Sequence, residues 1–415
     1  MRNVHIIGAG LAGLAAALEF ANAGYRVRLY EAGPQAGGRC RSYFDPVLGC
    51  LVDNGNHLLL SGNHAAMRFL DQVGGRAQLA GPGTPEFPFR DLKTNESWVV
   101  RPNLGRIPWW LFARGRKVPG ASLAEFLPLL SMHRAPAGAT VAEWLKPGEL
   151  RRRLLDPLAI AALNTMPEVG SARLLGAVVH ETLAQGGAAC IPLWPHHGLS
   201  AAFIDLALAR LKLQGARIFF ASRIAAVTVE AGRVVSLAGP KGAIAIESGE
   251  LVVMAATAPV AASLLPGLVV PDQYEAILNI HYRAEAPSGF VGLINSTAEW
   301  VFAKQGHVSV TISAGNRYVD EDPAQLATRV WPEVCAALEF GARPMPEWRV
   351  VKEKRATFAA TPAQEARRPG ADLGIANLAL AGDYTATGLP ATIEGAIRSG
   401  CTAANLLLLA ARKFS

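Results

Sequence analysis

Cysteine is scarce in this chain, charge is thin, and no apolar run is long enough to cross a bilayer. Each shortage excludes something. The five cysteines (Cys40, Cys50, Cys190, Cys335 and Cys401) are scattered through 415 residues. None pairs with another as C-x-x-C, so neither a zinc ribbon nor a disulfide framework is written here, and reduced thiols in a cytoplasmic protein are expected. Charged residues reach only 18% against 51% hydrophobic ones. That balance rules out a disordered chain and points to a large buried core, an apolar substrate cavity or contact with a membrane. The net charge of +7 comes without a long Lys/Arg run, a zinc-finger spacing or a basic–aromatic motif. Nucleic acid is therefore not the expected partner, and an anionic membrane surface matches better. No stretch of about 18 apolar residues appears, which excludes a spanning helix. The N-terminus enters a strand at once, so no signal peptide is read there. His196-His197 lacks carboxylates or cysteines at ligand spacing, so no metal site is expected. No G-x-S-x-G elbow, internal repeat or low-complexity stretch occurs.

What is present begins immediately. Val4-His5-Ile6-Ile7 reads as a buried strand, runs into Gly8-Ala9-Gly10-Leu11-Ala12-Gly13 and continues into a helical stretch over 14–23. This is a dinucleotide-binding fingerprint in its strand–turn–helix context. Gly8 permits the tight turn, Gly10 lets the backbone approach a pyrophosphate, and Gly13 lets the helix pack on the strand. The amides of Leu11 and Ala12 and the positive end of the helix dipole face the phosphates. A second strand over 25–30 ends at Glu31, followed by Ala32. A carboxylate placed there can accept hydrogen bonds from the two hydroxyls of a ribose. Gly37-Gly38-Arg39 follows. Its arginine can reach back to the pyrophosphate with a planar fork, and its glycines let the chain pass close to the cofactor. Nicotinamide dehydrogenases have no evident need of this element, so the cofactor reads as FAD. No second fingerprint is present for a nicotinamide, which assigns the electrons to a diffusing reductant or a partner protein.

A chain of 415 residues exceeds one compact core. Strand–helix units return over 251–265 and 378–411, whereas 122–132, 141–145 and 149–163 read as interrupted helices. Runs over 277–282, 290–294, 307–313 and 348–354 read as strands. The fold class is α/β: a Rossmann-like FAD-binding domain interleaved with an α+β substrate domain. The first comprises residues 1–75, 195–266 and 370–415, and the second 76–194 and 267–369.

The C-terminal element repeats the physics of the first. A buried strand over 378–381 ends in Gly382-Asp383, and a loop leads to Pro390-Ala391-Thr392-Ile393-Glu394-Gly395-Ala396 and a long helix. Asp383 can bond a ribityl chain, and the helix N-terminus offers amides and positive charge to a reduced flavin. An ordinary closing helix with glycines for packing fits the same residues. Together these pieces resemble the FAD-dependent amine oxidase and phytoene desaturase superfamily. Within it, Val52-Asp53-Asn54-Gly55-Asn56-His57-Leu58-Leu59-Leu60, Ala162-Leu163-Asn164-Thr165, the run from Lys352 to Pro362 and the run from Gly388 to Ala396 resemble the hydroxysqualene dehydroxylases, also called squalene-associated FAD-dependent desaturases. One departure is visible: Asn56 stands where that family usually carries Gln, which keeps an amide but bears on how His57 is held. The resemblance implies an amine oxidase-like two-domain flavoprotein. It implies a C30 polyprenyl substrate, hydroxysqualene, converted to squalene for hopanoid and triterpenoid synthesis; the external electron donor follows from the missing second fingerprint. Residues and resemblance together give the cofactor-binding set Gly8, Gly10, Leu11, Ala12, Gly13, Glu31, Ala32, Gly38, Arg39, Asn54, Gly55, Asn56, His57, Ile224, Gly382, Asp383, Pro390, Ala391, Thr392 and Ile393.

Removing a hydroxyl requires a proton for the departing group and an apolar chamber for the developing cation. His57 is the leading candidate acid; a histidine that only bonds backbone or flavin fits the same position. Glu394 is second, although a helix N-terminus would hold it as an anion. Lys354 and Arg355 fall on a strand entering the site, and Arg355 is the third catalytic candidate. Carotenoid desaturation, amine oxidation and non-catalytic FAD binding stay open beside the dehydroxylation. The tyrosine pair an amine oxidase needs is not evident near Tyr384. Residues 106–117 place Trp109, Trp110 and Phe112 among Arg106, Arg114, Arg116 and Lys117. That mixture reads as peripheral contact with the inner face of the cell membrane or as a packed helix with a basic end.

Overall fold

The computed structural model describes residues 2–304 and 306–413. Its first layer is a parallel sheet of five strands in the order Arg217–Phe219, Arg26–Tyr30, Asn3–Ile7, Leu251–Met254, Leu378–Leu380. A parallel sheet is covered on both faces, so its strands carry continuous apolar runs. Val4, Ile6, Val27, Leu29, Val252, Val253 and Ala379 are all buried accordingly. The helix Leu11–Asn22 is apolar nearly all round and packs on this sheet beside the closing helix Ile393–Lys413, which also touches it. Where the two helices meet, a Cβ on Gly400 would stand 2.1 Å from the carbonyl oxygen of Ala12, so only glycine allows the contact. The two ends of the chain are thus packed on each other.

The second layer is a seven-stranded sheet in the order Trp348–Phe358, Tyr274–Tyr282, His307–Ile312, Trp300–Lys304, Gly289–Ile294, Phe87–Asp91, Glu96–Val100. Its pairings are antiparallel except where Gly289–Ile294 lies parallel to Phe87–Asp91. One face packs Leu278, Ile280, Val308 and Val310 against Leu326, Val330 and Val334 of the helix Pro323–Ala337. The alternate positions are polar: Asn279 and His281 on one strand, His307, Ser309 and Thr311 on its neighbour. Strand residues one apart face opposite sides, and here both sides are buried.

Two expected elements take other forms. The stretch over 122–132 is a 3₁₀ run, Leu123–Leu130, because Pro128 inside it cannot donate to an α-helical ladder. The stretch over 149–163 opens with a π turn, Arg151–Leu155, before the α-helix Asp156–Leu163. Ile224 lies just ahead of the strand Ala226–Glu230, in the connection from the parallel sheet.

Candidate FAD site

The glycine turn is built by close approach. Gly8 has φ +106°, and a Cβ there would meet the Ala255 carbonyl oxygen at 2.6 Å. A Cβ on Gly13 would lie 1.9 Å from the Gly8 carbonyl oxygen. Gly10 is different: none of the described residues stands within 4 Å of where its Cβ would be. Its backbone is extended, and it fronts the first turn of the helix, whose Leu11, Ala12 and Gly13 amides have no intrahelical acceptor. The Gly37-Gly38 segment docks on this turn through a parallel bridge from Gly37 to Gly10 and a bond from the Gly37 amide to the Ala9 carbonyl, 2.8 Å. Glu31 sits at the end of its strand and accepts from the amides of Ala9 (2.9 Å) and Gly33 (2.7 Å). A carboxylate has about four acceptor positions, so two stay open to a ribose. Ala32 is exposed beside it, and Ile224 is buried in the segment that follows Arg217–Phe219.

Arg39 joins the two ends of the chain. It donates to Asp383 Oδ1 (2.7 Å) and to the Ala356 carbonyl (2.5 Å), and the Asp383 carboxylate raises its pKa further. Arg368, absent from the sequence-based set, braces the same loop. It donates to the carbonyls of Asp383 and Thr385 and to Thr387 Oγ1, and burial pushes its pKa down to about 10. The Gly382 amide is held by Ser399 Oγ at 2.8 Å, and the Tyr384 ring lies where a Gly382 side chain would be. Pro390 and Ile393 are buried at the head of the closing helix, Ala391 is half-buried, and Thr392 Oγ1 caps it by accepting from the Gly395 amide, 3.0 Å.

The loop 53–57 is fixed by the second sheet. Buried Asp53 pairs with buried Lys304 at 2.7 Å and accepts from Ser42 Oγ and the Leu199 amide. Burial pushes the Asp53 carboxyl up, but Lys304 and these donors together hold it below its ordinary value. Asn54 reaches the Arg39 carbonyl and Glu353. The Asn56 amide donates to Ser309 Oγ (2.7 Å) and Thr311 Oγ1 (3.0 Å). Asn279 bonds Thr311, and His281 bonds Ser309 at 2.9 Å. Burial lowers the His281 pKa to about 3, so its ring is neutral. Gly55 is buried in this loop. His57 Nδ1 lies 3.0 Å from the Gly55 carbonyl and donates to it, which leaves Nε2 the acceptor in the neutral ring. Burial holds the His57 pKa below its ordinary value.

The other two acid–base candidates stand apart. The Glu394 carboxylate accepts from the amides of Ala65 and Ala66, at the start of the helix His64–Val73, and pairs with Arg398. Arg355 is exposed, with its guanidinium over the Tyr274 ring at 5.9 Å. The sequence reading had no sight of Lys304, Asn279, Ser309 and Thr311. The available signal was the every-second-residue polar pattern in two otherwise apolar strands.

These residues fit FAD. The open face of Gly10, the helix-start amides and Arg39 suit a pyrophosphate, and Glu31 suits a ribose. Among the described residues, Asn56 Oδ1 and the Tyr384 hydroxyl are buried without a hydrogen-bond partner. The family model for flavin containing amine oxidoreductases matches residues 11–286 and 299–408. Over 99% of both chains the protein is 47% identical to hydroxysqualene dehydroxylase of Rhodopseudomonas palustris. Over 98% of both it is 43% identical to that of Sinorhizobium fredii. The chain belongs to the hydroxysqualene dehydroxylase family. It is an FAD-dependent oxidoreductase. The fold extends to remote relatives: cyclohexylamine oxidase from Brevibacterium oxydans superposes with a TM-score of 0.71 at 17% identity, covering 100% of this chain and 99% of that one.

Proposed function

We propose that this dehydroxylase-family chain acts on hydroxysqualene, replacing its hydroxyl by hydrogen to give squalene. The identity to named dehydroxylases over the full chain carries the reading. In the reaction a C–O bond breaks, a C–H bond forms, and the oxygen leaves as water. Two electrons come from an external donor. FAD, when bound and reduced, supplies the hydride. The glycine turn, Glu31, Arg39 and Asp383 hold the cofactor, and the helix start at Ile393 offers it positive charge.

The chain's own chemical contribution is the proton. His57 is the proposed donor: because Nδ1–H is engaged by Gly55, Nε2 carries a proton only in the imidazolium form. Burial disfavours that form, so the donor is loaded only below the ordinary histidine range. Turnover falls as pH rises through the lowered His57 value. Glu394 is excluded from the step in this reading, since both its oxygens are engaged by the Ala65 and Ala66 amides and by Arg398.

So apolar an alcohol is supplied from a bilayer. No helix among the described residues is long and apolar enough to cross a membrane, and the proposed contact is peripheral, through residues 106–117. There Ile107, Trp109 and Phe112 are exposed, whereas Trp110 is buried in the core and takes no part. The test is anaerobic incubation of the FAD-loaded protein with reductant and hydroxysqualene, read by mass spectrometry. Squalene lacking the oxygen is the expected product; unchanged alcohol, with turnover of phytoene or an amine, overturns the reading.

A further inference from the structure

Beyond residues 106–117, the fold leaves a second apolar surface that neither the cofactor site nor the core uses. In the 3₁₀ run Leu123–Leu130, every third residue falls on the same face. Phe126 and Leu129 stack on the buried face. Leu127 and Leu130 form the adjoining ridge and are 64% and 71% exposed. The only charge in the run, Glu125, is folded back on the backbone, accepting from the amides of Ser122 and Leu150. The element is therefore apolar on its inner and its outer face. It is joined to the preceding turn, Trp109–Phe112, by Trp110, which packs edge-on against Phe126 at 5.8 Å. On that turn and just before it, Ile107, Trp109 and Phe112 are 79%, 53% and 74% exposed. Single exposed leucines need no explanation, but five large apolar side chains on two packed elements do.

The charge around them has one sign. Residues 102–134 hold Arg106, Arg114, Arg116, Lys117 and Arg134 against the lone carboxylate of Glu125. Arg116 lies over the Trp109 ring at 5.0 Å, and Arg106, Arg114 and Arg134 are exposed.

We propose that the Leu127/Leu130 ridge and the Ile107/Trp109/Phe112 turn form one two-part surface that seats on an anionic lipid bilayer. The apolar side chains enter the boundary between headgroups and acyl chains, and the cations meet lipid phosphate. This rests on the membrane contact proposed above. It extends that contact to an element outside 106–117 and gives it a charge preference.

The test is co-sedimentation of the FAD-loaded protein with phosphatidylcholine vesicles, with and without phosphatidylglycerol, at low and high salt. Binding is expected on the anionic vesicles, with a loss in high salt and on phosphatidylcholine alone. L127D/L130D and I107D/F112D should each lower binding by at least about tenfold. Bound FAD and turnover of detergent-solubilised substrate should not change. Wild-type binding by L127D/L130D beside weak binding by I107D/F112D overturns the two-part surface and leaves the narrower contact. Equal binding to both vesicle types overturns the charge preference, and no binding to either removes the membrane contact altogether. Vesicle binding by a protein that makes no squalene leaves this surface standing and refutes the substrate instead.

Discussion

The turn 8–13 and the loop 53–57 are both built to be rigid, by opposite means. The turn is backbone against backbone: glycines at carbonyl contact, amides at a helix start, and one carboxylate, Glu31, tying neighbouring peptide groups. The loop is held by side chains borrowed from remote strands: Lys304 on Asp53, and Ser309 and Thr311 on Asn56. Local backbone geometry leaves a fixed spacing in the sequence. A network of side chains far apart in the chain leaves none.

The sharpest way to break the comparison is within the turn itself. Gly13→Val forces a side chain into the Gly8 carbonyl and should abolish folding, seen as insoluble or proteolysed protein. A Cβ on Gly10 meets nothing within 4 Å among the described residues; Gly10→Val should yield folded protein that is colourless because its side chain fills the pyrophosphate position. Folded, yellow protein from either variant would contradict the account of the turn. In the loop, His57→Gln should retain FAD and lose turnover by about 10²–10⁴-fold, with the acid-favoured pH profile flattened.

Next in size is the buried pair. Lys304→Met strands the Asp53 carboxylate and should cost about 3–5 kcal/mol in denaturant unfolding. The pH dependence follows from the sign of the Asp53 shift. Its native value is depressed, so the stability it contributes is present above the ordinary aspartate range and is lost as pH falls through the lowered value. That acid-side loss should shrink in Lys304→Met. Asn56→Ala removes two hydrogen bonds and should cost about 1–2 kcal/mol while raising the mobility of His57, checked by its NMR line shape. The smallest effect on turnover belongs to Glu394→Gln. It weakens the cap on His64–Val73 and the pair with Arg398, lowers stability by about 1–2 kcal/mol, and leaves turnover unchanged.

Legibility in the sequence follows the same division. The α/β class, the FAD and the partnership of the two chain ends could be read because glycine spacing, a strand-end acid and a helix start state their own chemistry. The clamp on the 53–57 loop could not. Polar residues at every second position of a strand ordinarily mark a face turned to water. Asn279, Ser309 and Thr311 bond instead to a loop more than two hundred residues earlier in the chain, and His281 braces Ser309. Arg368 was equally silent, since it acts on carbonyls of a loop rather than on a recognisable partner. Over 122–132 the interruption is legible but the 3₁₀ form is not, since an apolar run does not state its period and Pro128 is its one local sign.

The most direct measurement is a single turnover. Anaerobic, fully reduced protein is mixed with hydroxysqualene in a stopped-flow spectrometer while squalene is quantified in the quenched mixture. The account predicts that oxidised-flavin absorbance returns in a 1:1 ratio with squalene formed (about one hydride per flavin), and faster at lower pH. Flavin that stays reduced in the presence of hydroxysqualene, or that reoxidises without releasing squalene, would contradict it.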